Sequence, residues 1–306
     1  MRALRSASAQ RPLTLVGVTM SACLALTACG SGDAPDGDDG SSSAPVWTET
    51  DPDLAAELEA AGNDGTLVVA TDLTIGLPWA VEEDGEQTGL DIDLATALGE
   101  VLGAEIDLQN TSFDSLIPGL VANRYDVSIS AMLDNKKRQE QVDFVDFIID
   151  ASGFIVPVDS DLADLTLETS CGRTIGVVRG SAEEMYLTEQ SGKCEAQGEP
   201  AVDLQVFQQL QQGVLAVTSG RIEALCGDKL QNAYLESQPG AQVKQAGGAI
   251  NEAPVGMALP KGSELVPVFQ KALQELIDSG VYLEILKKYG VEGGALETAT
   301  VNDARN

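Results

Sequence analysis

Residues 113–131, FDSLIPGLVANRYDVSISA, and residues 206–228, VFQQLQQGVLAVTSGRIEALCGD, decide the fold. Each opens with apolar residues at helical spacing, breaks at a turn, and resumes as a short β-rich run. The two align without a gap from Asn123-Arg124-Tyr125-Asp126 onto Gly220-Arg221-Ile222-Glu223. A helix followed by a strand, met twice in one chain, predicts two similar units.

The flanking sequence completes both units. GTLVVATD (65–72) reads as a strand, DIDLATALGEVLG (91–103) as a helix stopped by Gly103, and AEIDLQ (104–109) as another strand. Strand-helix-strand rhythm over 66–131 and again over 174–228 predicts an α/β protein with two lobes, each on a mixed, mainly parallel sheet. In open sheets of this kind ligands sit beyond the carboxyl ends of the strands. That rule selects Asp72, Ser130, Gly180, Ser181 and Asp228, the polar positions just after four predicted strands. NEAPVGMALP (251–260) is expected to cross back to the first lobe, ahead of two helices that end at Gly280 and Gly290. The expected boundaries are 66–154 plus 254–291 for lobe one, 155–253 for lobe two, and a tail over 292–306.

The amino terminus reads as an export leader over residues 1–28: Arg2, Arg5 and Arg11 precede the uncharged run PLTLVGVTMSACLALTA. The run ends in LTAC, which resembles the lipobox of bacterial lipoproteins and makes Cys29 the lipidated residue. Residues 30–45, GSGDAPDGDDGSSSAP, hold almost nothing to bury, so a disordered tether is expected over 29–52. Such a chain would sit on the outer face of the cell membrane, held by lipid at Cys29.

Composition narrows the chemistry. The 306 residues hold 48 acidic and 18 basic side chains, a formal net charge of -30, which excludes nucleic acid as a partner. Histidine is absent, so Ser-His-Asp and Cys-His nucleophiles are excluded, and without CxxC zinc is the poorer reading of the cysteines. No phosphate-cradling glycine motif occurs, and neither a metal nor a cofactor is expected. Beyond the leader and Cys29, three cysteines remain. Cys171 and Cys194 flank one strand-helix unit and are expected to pair, leaving Cys226 free.

Against that acidity, RYDVSISAMLDNKKRQEQVDFVDF (124–147) concentrates Lys136, Lys137 and Arg138 in a row. The stretch resembles the corresponding segment of the solute-binding proteins that feed polar amino acids to ABC importers. The resemblance runs from about Thr66 to Val291 and takes in TGLDIDLATALGEVLG, IGVVRGSAEE and VPVFQKALQELIDSGVYLEILKKYG. It implies a type II periplasmic-binding-protein-like fold with hinged lobes, a monomer that binds an α-amino acid, and an ABC permease with its ATPase as partners. It implies no enzyme activity. By this resemblance Arg138 clamps the ligand's α-carboxylate, Asp228 accepts its α-ammonium, Phe113 packs on its aliphatic part, and Ser181 opens a helix that favours an anion. A planar guanidinium with paired donors suits the first role.

Departures from the family pattern bear on the ligand. TIGLPW (74–79) is one residue longer than the usual aromatic-rich turn, which puts Ile75 or Leu77 in place of a stacking tyrosine, with Trp79 beside them. Leu133 stands where Ser or Thr is usual, and Ala131 and Ala182 lack hydroxyls, leaving their backbone N–H groups to serve the carboxylate. Asp72 corresponds to a position that reaches the distal end of the ligand, so an amide or basic side chain is expected there rather than an acidic one. The alternative is that Asp72 only accepts backbone N–H bonds in the turn that follows it. Two other readings stay open: an exported dehydratase-like enzyme of the same fold, and a ligand-sensing receptor subunit.

Overall fold

Residues 46–305 are described in the computed structural model. The expected leader, Cys29 and the tether up to residue 45 lie outside the described residues. After α1 (Pro52–Ala60), the first unit runs β1 (Thr66–Thr71), a hairpin of β2 (Val81–Glu83) and β3 (Glu86–Thr88), α2 (Leu90–Leu102), β4 (Glu105–Asn110), α3 (Phe113–Val121) and β5 (Val127–Ser128). A short α4 (Lys136–Gln139) leads into the long β6 (Val142–Pro157). The second unit is β7 (Thr174–Val178), α5 (Ala182–Ala196), β8 (Asp203–Phe207), α6 (Leu210–Thr218), β9 (Ala224–Asp228) and α7 (Lys229–Ser237). The chain then returns through β10 (Val243–Pro260) to α8 (Leu265–Ser279), α9 (Val281–Lys288) and β11 (Ala295–Val301).

The hydrogen-bonded order is β4-β1-β5-β10-β6-β9-β7-β8, with β11 added on β6. β1 pairs in parallel with β4 and β5, and β7 with β8 and β9, as the repeated rhythm predicts. Two antiparallel strands, β6 and β10, run through both lobes and join them. Their register slips between Ala246 and Ile250, between Ile250 and Ala253, and between Val255 and Gly256. Irregular pairing bends and twists strands where it occurs, so the two crossing strands change direction between the lobes. Leu67, Leu94, Leu98 and Phe269 fill the core of the first lobe, and Phe154, Ile175 and Val177 that of the second.

Covalent and local ties fix the periphery. Cys171, just before β7, is bonded to Cys194 near the end of α5, with Cα atoms 5.7 Å apart, and Cys226 is free and buried. The last residues of the expected tether are pinned rather than loose. Glu100 accepts the backbone N–H groups of Trp47 and Thr48 at 2.7 and 3.0 Å, and Asp51 caps α1. Beyond the last helix, β11 packs along β6, and Arg305 reaches Glu252 in β10. Among the described residues no helix is long and apolar enough to cross a membrane.

One charged group sits in the first core at an energetic cost. Asp91, in the first turn of α2, is 1 % exposed, and neither carboxylate oxygen makes a well-aligned hydrogen bond. Burial pushes its carboxyl up to about 7, and the nearby N–H of Ala131 offsets only part of that. Between the ordinary carboxylate value and 7, the folded state holds a proton that the unfolded state has released. Its contribution is therefore fully present at low pH and is lost as pH rises through 7. Urea titrations from pH 5 to 8 should show stability falling by up to about 1.4 kcal/mol per pH unit from this group, and Asp91→Asn should flatten that part of the slope.

Candidate functional site

A cleft opens between the lobes at the carboxyl ends of β1, β7 and β9. It is lined from the first lobe by Asp72, Phe113, Ala131, Leu133 and Arg138, and from the second by Ser181, Ala182, Glu183 and Asp228. These positions are brought together because parallel strands all end on the same side of their sheet.

Arg138 is the cation of this cleft. Asn135 caps the single turn of α4 by accepting the Arg138 N–H at 2.9 Å, which fixes where the side chain starts. The guanidinium is buried. Its Nη1 donates to the Leu133 carbonyl at 2.6 Å within its own lobe, and its Nη2 donates to the Gly180 carbonyl of the other lobe at 3.0 Å. It also lies 5.6 Å from the centre of the Phe113 ring. Burial pulls its pKa down, while Glu183, Tyr186 and Asp228 act in the opposite sense. Both bonds go to neutral carbonyls, and no carboxylate of the described residues is in ion-pair contact with it. Gly180 is left-handed at φ +77°, and a Cβ there would stand 3.1 Å from Asp114 Cα, so glycine is what lets the lobes approach at this point.

Carboxylates outnumber that cation. Asp228 ends β9 and starts α7, yet its side chain caps nothing in the helix. Its carboxyl is pushed well up, first by burial and then by Glu183 and Asp150, with Arg138 opposing. Glu183, in the first turn of α5, is 4 % exposed and accepts the hydroxyl of Ser152, which sits opposite Asp228 on β6. Behind them Asp150 accepts the N–H groups of Ala151 and Leu230 at 2.7 and 3.2 Å, and burial raises its pKa. A cation brought among these groups would relieve their mutual repulsion. None of the described residues forms a group of three or more ligands suited to a metal ion.

The other expected site residues divide by their surroundings. Asp72 lines the cleft, but its oxygens are engaged: Oδ1 by the Thr74 N–H and hydroxyl at 2.8 and 2.6 Å, and Oδ2 by the Phe113 N–H at 2.9 Å. It organises the turn after β1 and the start of α3. Ser130 is buried behind it and accepts the Asp72 N–H at 3.0 Å, so it holds Asp72 without lining the cleft. Ser181 caps α5 by accepting the Glu184 N–H at 3.2 Å, and Glu184 reaches back to the Gly180 N–H at 2.6 Å. Gly180 itself faces an outer groove.

Leu77 and Trp79 are corrections. The 74–79 turn closes on itself through a bridge between Gly76 and Ala80, and its far side is stapled to the start of α2 by bonds from Leu90 and Asp91 to the Pro78 and Trp79 carbonyls. Trp79 is thereby turned inward, fully buried in the first core, and Leu77 lies on an outer groove. Thr74 and Ile75 are the members of that turn that reach the cleft. Sequence reasoning missed Glu183, Gln208, Gln209 and Gln231, which also line it. In RGSAEE nothing local marks Glu183 as buried.

With this geometry in hand, comparison with known proteins is specific. Residues 67–292 match the model of the bacterial extracellular solute-binding proteins, family 3. The arginine-binding protein ArgT of Corynebacterium glutamicum is 28 % identical over 263 residues, covering 84 % of this chain and 86 % of that protein. The arginine-binding extracellular protein ArtP of Bacillus subtilis is 31 % identical, covering 69 % of this chain and 81 % of its own. Among solved structures, an ancestral arginine-binding protein bound to arginine superposes with a TM-score of 0.67 at 31 % identity, over 74 % of this chain and 98 % of that one.

Proposed function

The chain belongs to the bacterial extracellular solute-binding proteins, family 3, and from that premise we propose that it captures a basic α-amino acid, of the arginine or lysine class, for an ABC importer. The observation that carries this reading is the charge inventory of the cleft: one cation, Arg138, faces Asp228 and Glu183, while Asp72 is spent on its own turn. An α-carboxylate fits Arg138, whose planar fork has donors beyond the two used on carbonyls. That leaves two carboxylates for two ligand cations, Asp228 for the α-ammonium and Glu183 for the end of the side chain. Ile75, Val178 and Leu210 line the cleft as apolar surface for the stem between those charges. An acidic amino acid would bring a second carboxylate against Glu183. The three similar proteins described above are arginine-binding by name, and others are named for lysine, ornithine or histidine, which points the same way.

The mechanism follows from the position of the charges. Arg138 belongs to the first lobe and Asp228 to the second, so a zwitterion touching both holds the lobes together. A permease that docks only on the closed form would then receive loaded protein. Lipid at Cys29 would keep the protein at the outer face of the membrane, where that permease lies. Removing one partner of a desolvated, hydrogen-bonded charge pair costs about 2–5 kcal/mol. Calorimetry with L-arginine should therefore show Arg138→Ala and Asp228→Ala each weakening binding by about 30-fold or more. Wild-type affinity in either variant would remove it from the site.

Selectivity is tested by competition among arginine, lysine, ornithine, histidine, glutamine and glutamate. The basic ligands should bind tightest and glutamate weakest. Glu183→Gln should reduce the preference for arginine over glutamine by about tenfold, since it exchanges a charge-assisted bond for a neutral one. Tightest binding by glutamate would contradict the reading. For the anchor, Cys29→Ala should move the protein from the detergent phase to the aqueous phase on phase separation. Full retention with membranes would show that something other than lipid at Cys29 holds it.

A further inference from the structure

The turn after β1 offers the cleft neither Trp79 nor Leu77, since Trp79 is in the core and Leu77 faces outward. Its position suggests another use. The carbonyls of Ile75 and Gly76 face α7 of the opposite lobe, where the side-chain amide of Gln231 donates to both, at 2.6 and 3.2 Å. Gln231 is 2 % exposed. We propose that Gln231 is a positioning residue that latches the closed cleft, and that the 74–79 turn presents it with two backbone acceptors.

Three features support this assignment. A primary amide has two hydrogens, so one side chain can serve two carbonyls at once. Gly76 is left-handed at φ +89°, and a Cβ there would come within 3.3 Å of Gln211 Nε2 and 3.5 Å of Gln231 Nε2, so its lack of a side chain leaves room for α6 and α7 to close on the turn. The turn is also rigid enough to act as a strike plate: Ile75 donates to the Asp72 carbonyl at 3.2 Å, and Gly76 donates to the Ala80 carbonyl at 2.9 Å. The latch joins the lobes through protein atoms alone, as does the bond from Arg138 to Gly180. It therefore acts before ligand arrives as well as after. It sets how much of the free protein is closed, and it slows ligand release by requiring these bonds to break on opening.

The proposal concerns closure within the proposed site, and its main test needs no ligand. The full chain would carry fluorophores at Val121→Cys in the first lobe and Leu215→Cys in the second, both exposed positions, for single-molecule energy transfer between the lobes. Without ligand, Gln231→Ala should reduce the closed fraction at least threefold. Gln231→Glu, which keeps the shape but turns a carboxylate toward two carbonyls, should reduce it further. With L-arginine and L-lysine as probes, stopped-flow release should accelerate by a similar factor for both. An undetectable closed fraction in free wild-type protein, or an unchanged one in both variants, would overturn the latch. An unequal effect on the two amino acids with no change in the free protein would make Gln231 a ligand contact instead. Failure of either amino acid to bind would count against the proposed ligand class while leaving the ligand-free result to decide the latch.

Discussion

The bond from the Arg138 guanidinium to the Gly180 carbonyl is the constraint around which the cleft is organised. It crosses from one lobe to the other, and it requires a buried cation to be satisfied by neutral acceptors. A charge taken out of water is tolerated only when hydrogen-bonded and offset by opposite charge. Here the bonds come from Leu133 and Gly180, and the offset from acids that surround the cation without touching it. That arrangement holds the guanidinium in place while leaving donors for a carboxylate. Gly180 contributes in two ways, since its carbonyl accepts the bond and its missing side chain permits the approach.

In the proposed site, ligand binding favours closure. Arg138 reaches from the first lobe, Glu183 and Asp228 from the second, and each group is partly desolvated by the other side. Burial first, and then repulsion among the acids, raises the pKa values of Asp228 and Asp150. A ligand carrying two positive charges and one negative charge neutralises that excess, whereas a neutral or acidic side chain leaves it or adds to it. On the proposed reading selectivity comes from electrostatics distributed over the two lobes, which β6 and β10 join.

Much of this was legible in the sequence, for reasons tied to particular residues. The two lobes were visible because their strand-helix units are local and repeated, and the disulfide because Cys171 and Cys194 bracket one such unit. Arg138 was visible because its motif is continuous, from the strand before it to the one after. Glu183 was hidden because its burial depends on Ser152, 31 residues away on the crossing strand. Gln231 was hidden because its acceptors lie 156 and 155 residues away. Trp79 was misplaced because aromatic residues beside a cleft and aromatic residues under it have the same local signature. Only the bonds to Leu90 and Asp91 decide between them. Trp47 to Asp51 read as tether because their partner, Glu100, stands about fifty residues further on.

The most direct test of the two-ended grip is a thermodynamic cycle of binding, with L-arginine and its decarboxylated analogue titrated calorimetrically into the wild-type protein and Arg138→Ala. If Arg138 holds the α-carboxylate, the wild-type protein should prefer arginine to the analogue by about 30-fold or more, and Arg138→Ala should abolish that preference. An equal loss of affinity for both ligands on substitution, with the preference intact, would contradict the account, because Arg138 would then be supporting the cleft without touching the carboxylate.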